Sequence, residues 1–564
     1  MKISDIEKKL AWILSIGSGI TTVIVLAWNT NEPVNAPKLV ILAATSFASV
    51  FYLIMQWKSR SKNNFIKTSN VLLALFTAFG LVSIIASESS FMDGFYGAWG
   101  RNTGFLTYFC LALIFVSAAQ IQSRSAVETV LNGLFYAGIV NVIYFIFILF
   151  GIDLIPWNNV YKTLLGTFGN PNFAGAFMAC FVTLCVTKFL DSECTKRNRI
   201  FLVILSVLSL LAIQRSHATQ GVVVAALGFS IIGFFYIGKK LNSKKLLIGY
   251  SFSIIFIGAF AVAGVLQKGP LAQYIYKSSV SYRGEYWAAG WNMGMAHPLT
   301  GVGLDSYGLW YRRLREASAL VSPGKNVVAN VAHNVYLDIF ASGGFPLFIA
   351  YLLLNALVLF KIVKGMRLIR EFDATFVAIS SIWICYQVQS IISINQIGLA
   401  IWGWILGGLI IGYGVEDRAE SALLTAPAKG SIQMKGRHAN KKQTTTYFAP
   451  VFLGAIVGLV ISSPPYLTDV KWRSVLDKPS VVNLESQSKA EPTSLIRFIQ
   501  ASTLYTNNGM PEKGLEIAKF ITEKYPTDFA AWYFYYMSPS ISAPEKAIVK
   551  SRLHELDPLN PDFN

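Results

Sequence analysis

Long apolar stretches alternate with short polar ones along the first 463 residues of the chain. A helix needs about 20 apolar residues to cross a hydrocarbon layer roughly 30 Å thick. Stretches of this kind predict thirteen membrane-spanning helices, at about 10–28, 38–57, 70–87, 104–121, 130–151, 171–190, 199–214, 218–237, 246–266, 344–362, 375–394, 396–414 and 447–463. We therefore expect an all-α, polytopic membrane protein with about 13 transmembrane helices.

Two polar segments are too long to be simple connections between spans. Residues 267–343 separate the ninth and tenth predicted spans and predict one large loop domain. After the last span, prolines and serines predict an extended linker over 464–492, and paired amphipathic segments over 493–564 resemble a tetratricopeptide-like helical tail. Because two such units are marginal alone, we expect the tail to dock on the transmembrane domain, residues 1–463, or on a partner.

Composition supports the membrane assignment and excludes two other classes. The chain is 54% hydrophobic and 14% charged, whereas soluble domains carry about 25% charged residues. Its net charge of +18 comes from short basic clusters between apolar stretches, which is typical of membrane orientation and does not indicate nucleic-acid binding. The five cysteines form neither a paired Cys-x-x-Cys zinc motif nor a disulfide framework.

The basic clusters also predict the orientation of the chain. Under the positive-inside rule they lie on the cytoplasmic face. The clusters are Lys8 and Lys9; Lys58, Arg60, Lys62 and Lys67; Arg124; Lys196, Arg197 and Arg199; Lys239, Lys240, Lys244 and Lys245; Lys361, Lys364, Arg367 and Arg370; and Lys435, Arg437, Lys441 and Lys442. We read the first stretch as a retained span, because it has no small-residue cleavage site before Trp28. These clusters place the amino terminus in the cytoplasm. Because the number of predicted spans is odd, the carboxyl terminus then lies outside.

Several arginines depart from this rule because they lie in predicted outward segments. They are Arg101 in GRNTGF, Arg215 in IQRSHATQG and Arg283 in SYRGEYW. A charge close to the membrane is costly unless it is paired or lines a wet cavity, so each is a candidate site residue. The alternative is an interfacial arginine that extends toward lipid headgroups. The arginines within 312–315 are predicted to form a solvated helix face.

Three histidines, His217, His297 and His333, lie in predicted outward loops. Neither His-x-x-x-His spacing nor supporting carboxylates accompany them, so we expect no metal site. His217 is two residues from Arg215 and is a candidate substrate ligand in the same pocket. His297 precedes a proline and is interpreted as part of a turn.

His333 begins a short helical segment that ends at Gly343, Gly344 and Pro346, just before the tenth span. Neighbouring arginines should lower its pKa and keep the imidazole neutral, which suits a general base. Asn334 and Tyr336 are candidate substrate contacts beside it. The alternative is that Asn334 caps the helix, that Tyr336 packs, and that His333 is a bystander.

The segment LLGTFGNPNFAGAFMA predicts an anion site at the start of the sixth span. Asn170 can cap this helix and Pro171 suits its first position, so the positive helix end would face outward. We take Asn170 and Asn172 as candidate ligands of a phosphate, although a cap alone explains the motif equally well. Cations and a neutral base at an outer membrane surface together suggest a lipid-linked phosphorylated substrate.

Two stretches of the chain carry a family resemblance. They resemble the signature stretches of the O-antigen ligase and polymerase superfamily, which includes O-linking oligosaccharyltransferases. Their sequences are RGEYWAAGWNMGMAHPLTGVGLDSYG and AHNVYLDIFASGGFPLFIAYLLL. GNPNFAGAF, GRNTGF and the helical tail are similar to features of many members. The resemblance implies a metal-independent, inverting glycosyltransferase without a cofactor. It would take a glycan from undecaprenyl diphosphate at the outer face of the bacterial cytoplasmic membrane.

The resemblance also implies roles for particular residues. His333 matches the histidine of the family's HN-x-x-L motif, proposed as the base or an essential contact, and Arg283 matches the loop arginine that precedes the tryptophan. The family's serine-arginine-glycine pattern appears here as QRSHATQG, which leaves open whether Arg215 or His217 fills that position. Asp305 and Glu285 are alternative bases.

The acceptor would decide the name of the enzyme. A lipid A core implies a ligase, a lipid-linked glycan a polymerase, and a protein serine or threonine an oligosaccharyltransferase. A polysaccharide transporter or flippase is the alternative from another class. The sequence has neither the inverted repeat nor the midspan carboxylates that are typical of transporters.

Overall fold

The computed structural model describes residues 3–56, 63–156, 159, 161–265, 268–270, 272–275, 278–414 and 448–563. No β-strand occurs in these ranges, so the predicted all-α class is confirmed for them. Two of the basic clusters that predict orientation lie outside the described residues. They are Lys58, Arg60 and Lys62, and Lys435, Arg437, Lys441 and Lys442.

Every predicted span coincides with a helix. These helices are α1 (Ile3–Val23), α2 (Asn35–Met55), α3 (Asn64–Ile85), α5 (Phe105–Ala118), α6 (Arg124–Leu149), α7 (Pro171–Leu190), α8 (Lys196–Arg215), α9 (Thr219–Lys239), α10 (Lys244–Val265), α14 (Val335–Leu368), α15 (Ala374–Ile391), α16 (Ile397–Gly412) and α17 (Phe448–Asp477). Within the described ranges, ten helices are long and apolar enough to cross a membrane, and α5 and α16 are shorter apolar helices. The protein is thus a multi-pass membrane protein, while the count of 13 crossings stays a prediction.

The remaining helices lie between or after these. Between the apolar helices are α4 (Phe91–Tyr96), α11 (Ala272–Ile275), α12 (Ser278–Ala296) and α13 (Tyr307–Leu314), with 3₁₀ turns at Gly166–Phe168 and Ala317–Leu320. The carboxyl-terminal part contains α18 (Val481–Ser488), α19 (Leu495–Asn507), α20 (Pro511–Lys524), α21 (Phe529–Tyr536), α22 (Ala543–Leu556) and a 3₁₀ turn at Pro561–Phe563. The predicted loop domain is therefore largely helical.

The centre of the bundle is formed by α7, α15 and α16, whose residues are mostly buried. In α16 small residues permit close packing. A Cβ atom on Gly408 would lie 2.4 Å from the carbonyl oxygen of Phe115 in α5, so the two helices can approach this closely only with glycine there. Small residues at helix contacts are a general feature of membrane bundles.

The segments predicted to share a side of the membrane contact one another. On one side, the indole nitrogen of Trp99 donates to Asp469 at 3.0 Å, which joins the α4–α5 loop to the end of α17. On the other side, Arg124 forms an ion pair with Asp191 at 2.5 Å. The fold thus separates the two sets of loops in the predicted way. Which side lies outside the cell stays a prediction.

Helix α14 is kinked at the position where the sequence predicts a break. Gly344 has a φ of 62° and a ψ of −163°, which a residue with a side chain rarely adopts. Two residues later Pro346 has no N–H group, so the carbonyl of Ser342 lacks its usual helical donor. That carbonyl accepts instead from the Gly303 N–H at 3.0 Å and from the Ser83 hydroxyl at 2.6 Å. The kink therefore anchors the loop before α14 to the bundle.

The extended conformation predicted over 464–492 is wrong, because Phe448–Asp477 forms a single helix and α18 follows it. Prolines usually interrupt helices because they remove a backbone donor. Pro465 leaves the carbonyl of Ile461 without that donor, and the hydroxyl of Tyr96 donates to it at 3.0 Å. A tertiary contact thus compensates the helix for its proline.

The carboxyl-terminal helices dock on the loop domain, as expected for a tail that is marginal alone. Arg312 and Arg315 both bind Asp557, at 2.7 and 2.6 Å. Arg313 donates to the carbonyl of Thr527 at 2.8 Å. The predicted solvated face at 312–315 is therefore wrong, because the tail covers these arginines and supplies their partners. The tetratricopeptide-like character of the tail stays a prediction.

Candidate functional site

A cavity of about 880 Å³ opens between three parts of the chain. Its walls come from the α3–α5 connection, from the loop domain before α14, and from the tail helices. Residues predicted to be functional line it on the bundle side, and these are Arg101 and His333, together with the alternative base Asp305. The structure thus brings together side chains that are more than 200 residues apart in the sequence.

His333 lies at the junction between the loop domain and α14. Its φ of 54° turns the chain sharply before the helix, and its ring centroid lies 5.7 Å from that of Tyr286. Partial burial, together with the positive charges of Arg283 and Arg101, lowers the pKa of His333 from 6.5 to about 4. The imidazole is therefore neutral at physiological pH, as predicted, although burial is the largest cause.

Asn334 is the amino-terminal cap of α14. Its side-chain oxygen accepts from the N–H groups of Tyr336 and Leu337 at 3.0 and 3.2 Å, and the residue is 7% exposed. The hydroxyl of Tyr336 donates to Gln387 at 2.7 Å. Both side chains thus have structural partners, and their roles as substrate contacts stay predictions.

Arg101 and Asp305 form an ion pair at 2.7 Å, with the Asp305 side chain only 2% exposed. The Asp305 carboxylate also accepts from the backbone N–H of Ala98 at 2.7 Å. Both oxygens of Asp305 thus have structural partners, and its role as an alternative base stays a prediction. The pair also fixes the Arg101 loop against the loop domain.

Arg283 lies on α12, three residues before Tyr286. It is half-buried, and desolvation lowers the pKa of its guanidinium from the ordinary value. It has no carboxylate partner within the described ranges, in contrast to Arg101, Arg312 and Arg315. The alternative base Glu285 accepts from the hydroxyl of Ser318 at 2.8 Å. Arg283 therefore presents a positive charge near His333 that a bound anion can neutralise.

The other predicted ligands form a second group at the ends of α7, α8 and α9. Asn170 caps α7 by accepting from the N–H of Asn172 at 2.9 Å, which confirms the predicted cap. Arg215 and His217 are exposed at the α8–α9 junction. None of these four residues lines the cavity that contains His333. Their roles in binding a phosphate stay predictions.

One part of the chain matches a known protein family. Residues 201–352 match the family model described as O-Antigen ligase. This match supports an O-antigen ligase-like assignment for that part of the chain. The match includes Arg215, Arg283 and His333, while Arg101 and the tail lie outside it. No curated protein matches the chain.

Two residues that sequence reasoning missed help to form the site. Asp338, in the first turn of α14, accepts from the backbone N–H of Ala332 at 2.6 Å and so closes the turn that presents His333. Tyr286 places its ring beside the imidazole. An acidic residue in the first turn of a helix is a recognisable signal for Asp338. Tyr286 could have been noticed from its place in RGEYW.

Within the described ranges, no group of three or more histidine, cysteine, aspartate or glutamate side chains could hold a metal ion.

Proposed function

We propose that the protein transfers a glycan from undecaprenyl diphosphate to an acceptor hydroxyl at the outer face of the bacterial cytoplasmic membrane. The family match supports a membrane protein that acts on glycans. The observation that carries the finer proposal is the neutral His333 near Arg283, a cation without a carboxylate partner in the described ranges. The reaction proposed for this pair needs neither a metal nor a cofactor.

Arg283 is proposed to bind the diphosphate of the donor. As the bond between the anomeric carbon and the diphosphate oxygen breaks, negative charge increases on that oxygen. A fixed guanidinium stabilises this charge more strongly in the transition state than in the ground state, which lowers the barrier. Partial burial strengthens the interaction because less water screens it.

His333 is proposed to take the proton of the acceptor hydroxyl. A histidine with a pKa of about 4 is a weak base in the free protein. Donor binding would make His333 a stronger base. The diphosphate brings negative charge near the imidazole and neutralises Arg283, and both effects raise the pKa of His333. The acceptor oxygen then attacks the anomeric carbon, the diphosphate leaves with the bonding electron pair, and in-line displacement inverts the anomeric configuration.

Arg101 is proposed to position the site and contact the substrate from the cavity wall, held by Asp305. Arg215, His217, Asn170 and Asn172 are proposed to contact the lipid-linked phosphate at the α7–α9 end of the bundle, where α7 presents its positive amino terminus.

The test is transfer in vitro by the purified full-length protein in detergent, with undecaprenyl-diphosphate glycan and separate acceptors. His333→Ala and Arg283→Ala should each abolish transfer without loss of folded protein. His554→Ala and Arg473→Ala remove the same side chains from exposed positions in the tail and in α17, and they should be fully active. Full activity of both site variants would exclude the mechanism.

The same assay identifies the acceptor. Product formed from donor alone indicates a polymerase. Product that requires a lipid A core indicates a ligase, and product that requires a serine or threonine protein indicates an oligosaccharyltransferase. A flippase would be indicated by a separate assay with the protein in lipid vesicles, if the donor accumulated on the opposite side without a new glycosidic bond.

A further inference from the structure

The tail helices supply a large part of the wall of the cavity that contains His333. The lining includes the end of α20, the connection that follows it, and the first turns of α21, with Tyr525, Phe529 and Tyr533 among the side chains. On the bundle side the same cavity is lined by Arg101 and His333. The site is therefore incomplete without the tail.

This wall is fixed to the loop domain by buried contacts. The Asp557 and Arg315 side chains are both fully inaccessible, and Arg312 is 11% exposed. The guanidinium of Arg312 also lies 4.2 Å from the centroid of Phe529, so the arginine that anchors the tail also packs on a ring of the wall. The position of α21 relative to the cavity is thus determined by tertiary contacts.

Cations on this side of the cavity already have partners. Arg312 pairs with Asp557 at 2.7 Å, and Lys524 pairs with Glu491 at 2.8 Å. Asp93 also lines this part of the cavity, and burial raises its pKa to about 6. The tail side is thus a poor site for a diphosphate, in contrast to the surroundings of Arg283.

Aromatic and hydroxyl groups, and not unpaired cations, dominate this part of the cavity lining. Tyr533 is 43% exposed and stacks on Phe529, with the centroids 5.7 Å apart and the ring planes at 14°. Ser89, Ser90 and Trp99 also line the cavity. Exposed rings that stack on apolar surfaces, together with a few hydroxyl groups and a carboxylate that fix orientation, suit a sugar, which has apolar C–H faces and hydroxyl edges.

We propose that the tail forms the acceptor-binding wall of the site, and that Tyr533 stacks on a sugar ring of a glycan acceptor. The placement of acceptor opposite donor rests on the proposed function. Binding of a free glycan to the wall does not rest on the proposed function, because it needs neither the donor nor the transfer reaction. Tyr533 is a binding residue in this proposal and takes no part in bond breaking.

The experiment measures binding without the donor. Full-length protein in detergent is applied to an array of free bacterial lipopolysaccharide-core and O-antigen oligosaccharides and of serine- and threonine-containing peptides. Tyr533→Ala should weaken glycan binding at least about tenfold, and Tyr533→Phe should retain it, because the ring makes the contact. Tyr536→Ala is the matched control, since both tyrosines pack edge-on against Phe563, at 6.2 and 6.1 Å, and Tyr536 does not line the cavity.

Three results would overturn the inference. They are equal binding by Tyr533→Ala and the wild type, equal losses in Tyr533→Ala and Tyr536→Ala, and binding of peptides but of no glycan. His554→Ala, at an exposed tail position outside the cavity lining, should bind the glycans normally. If transfer fails in every preparation while the array pattern holds, the proposed reaction is wrong and the glycan-binding wall stands.

Discussion

Asp557 holds the tail against the loop domain, and Asp557→Asn would remove the carboxylate from two buried arginines. The substitution keeps the shape of the side chain and removes its charge. Arg315 and Arg312 would then remain buried with their charges uncompensated, at sites where their side chains are 0% and 11% exposed. Nη2 of Arg315 donates to both oxygens of Asp557, at 2.6 and 2.9 Å, and hydrogen bonds between two charged groups are stronger than those between neutral ones.

The expected size of the effect follows from this burial. Removing one partner of a buried ion pair costs about 3–5 kcal/mol, chiefly because a charge is left desolvated. At about 1.4 kcal/mol for each factor of ten, the equilibrium between docked and undocked tail should shift by roughly two to four orders of magnitude. Asp562→Asn is the control. It breaks the pair between Asp562 and Lys325, whose side chains are 49% and 41% exposed, and should cost about 0–1 kcal/mol.

Limited proteolysis of the full-length protein in detergent measures the opening of the tail, because cleavage reports the population of open forms. Asp557→Asn should release tail fragments far faster than the wild type, and Asp562→Asn should not. Raising the ionic strength from about 0.1 M to about 1 M should change the wild-type rate little, since a buried pair is weakly screened. Equal cleavage of the two variants would refute the reasoning.

Three further predictions concern the loop domain and α14. Asn334→Ala removes the cap and should lower stability by about 1 kcal/mol in thermal unfolding, whereas Asn334→Asp should keep the cap. Equal losses of transfer activity in the two variants would favour a role for Asn334 in substrate contact. Because the pKa of His333 is about 4 in the folded protein and 6.5 ordinarily, the unfolded state binds the proton first, so stability should fall as pH drops from about 6.5 to about 4. His333→Asn should remove that part of the pH dependence of the melting temperature, and an unchanged dependence would contradict the assignment. Gly344→Ala places a Cβ 2.4 Å from the carbonyl oxygen of Pro298 at a φ of 62°, and should greatly reduce the folded yield in size-exclusion chromatography. Gly249→Ala is the control and should not reduce the folded yield, because a Cβ there meets no atom within 4 Å. Equal folded yields of the two variants would show that the kink tolerates a side chain.

Local chemistry was enough to predict several parts of the site. The neutral state of His333 followed from its neighbours, although its burial had the larger effect. The caps at Asn170 and Asn334 followed from asparagine immediately before a helix, and the kink followed from Gly344. The caps and the kink depend on residues within one or two turns of each other, so a single sequence shows them, whereas the neutral state of His333 also depends on burial and on the distant Arg283 and Arg101.

Contacts between distant segments could not be predicted in this way. Arg312 and Arg315 looked solvated because their partner, Asp557, lies more than 240 residues away. The predicted linker became a helix because Tyr96 donates to the carbonyl that Pro465 leaves free. Arg215 and Asn170 were grouped with His333 by chemistry, yet the structure places them outside its cavity.

The sequence by itself determined the all-α class and the positions of the apolar helices, because the length of an apolar stretch is a local property matched to the thickness of a membrane. It also determined which residue types carry the candidate chemistry. The tertiary structure alone decided that Arg101 pairs with Asp305, that Arg283 lacks such a partner in the described ranges, and that the tail closes the cavity around His333. Those outcomes depend on which helices pack together, since packing sets the burial and the partners of each charge.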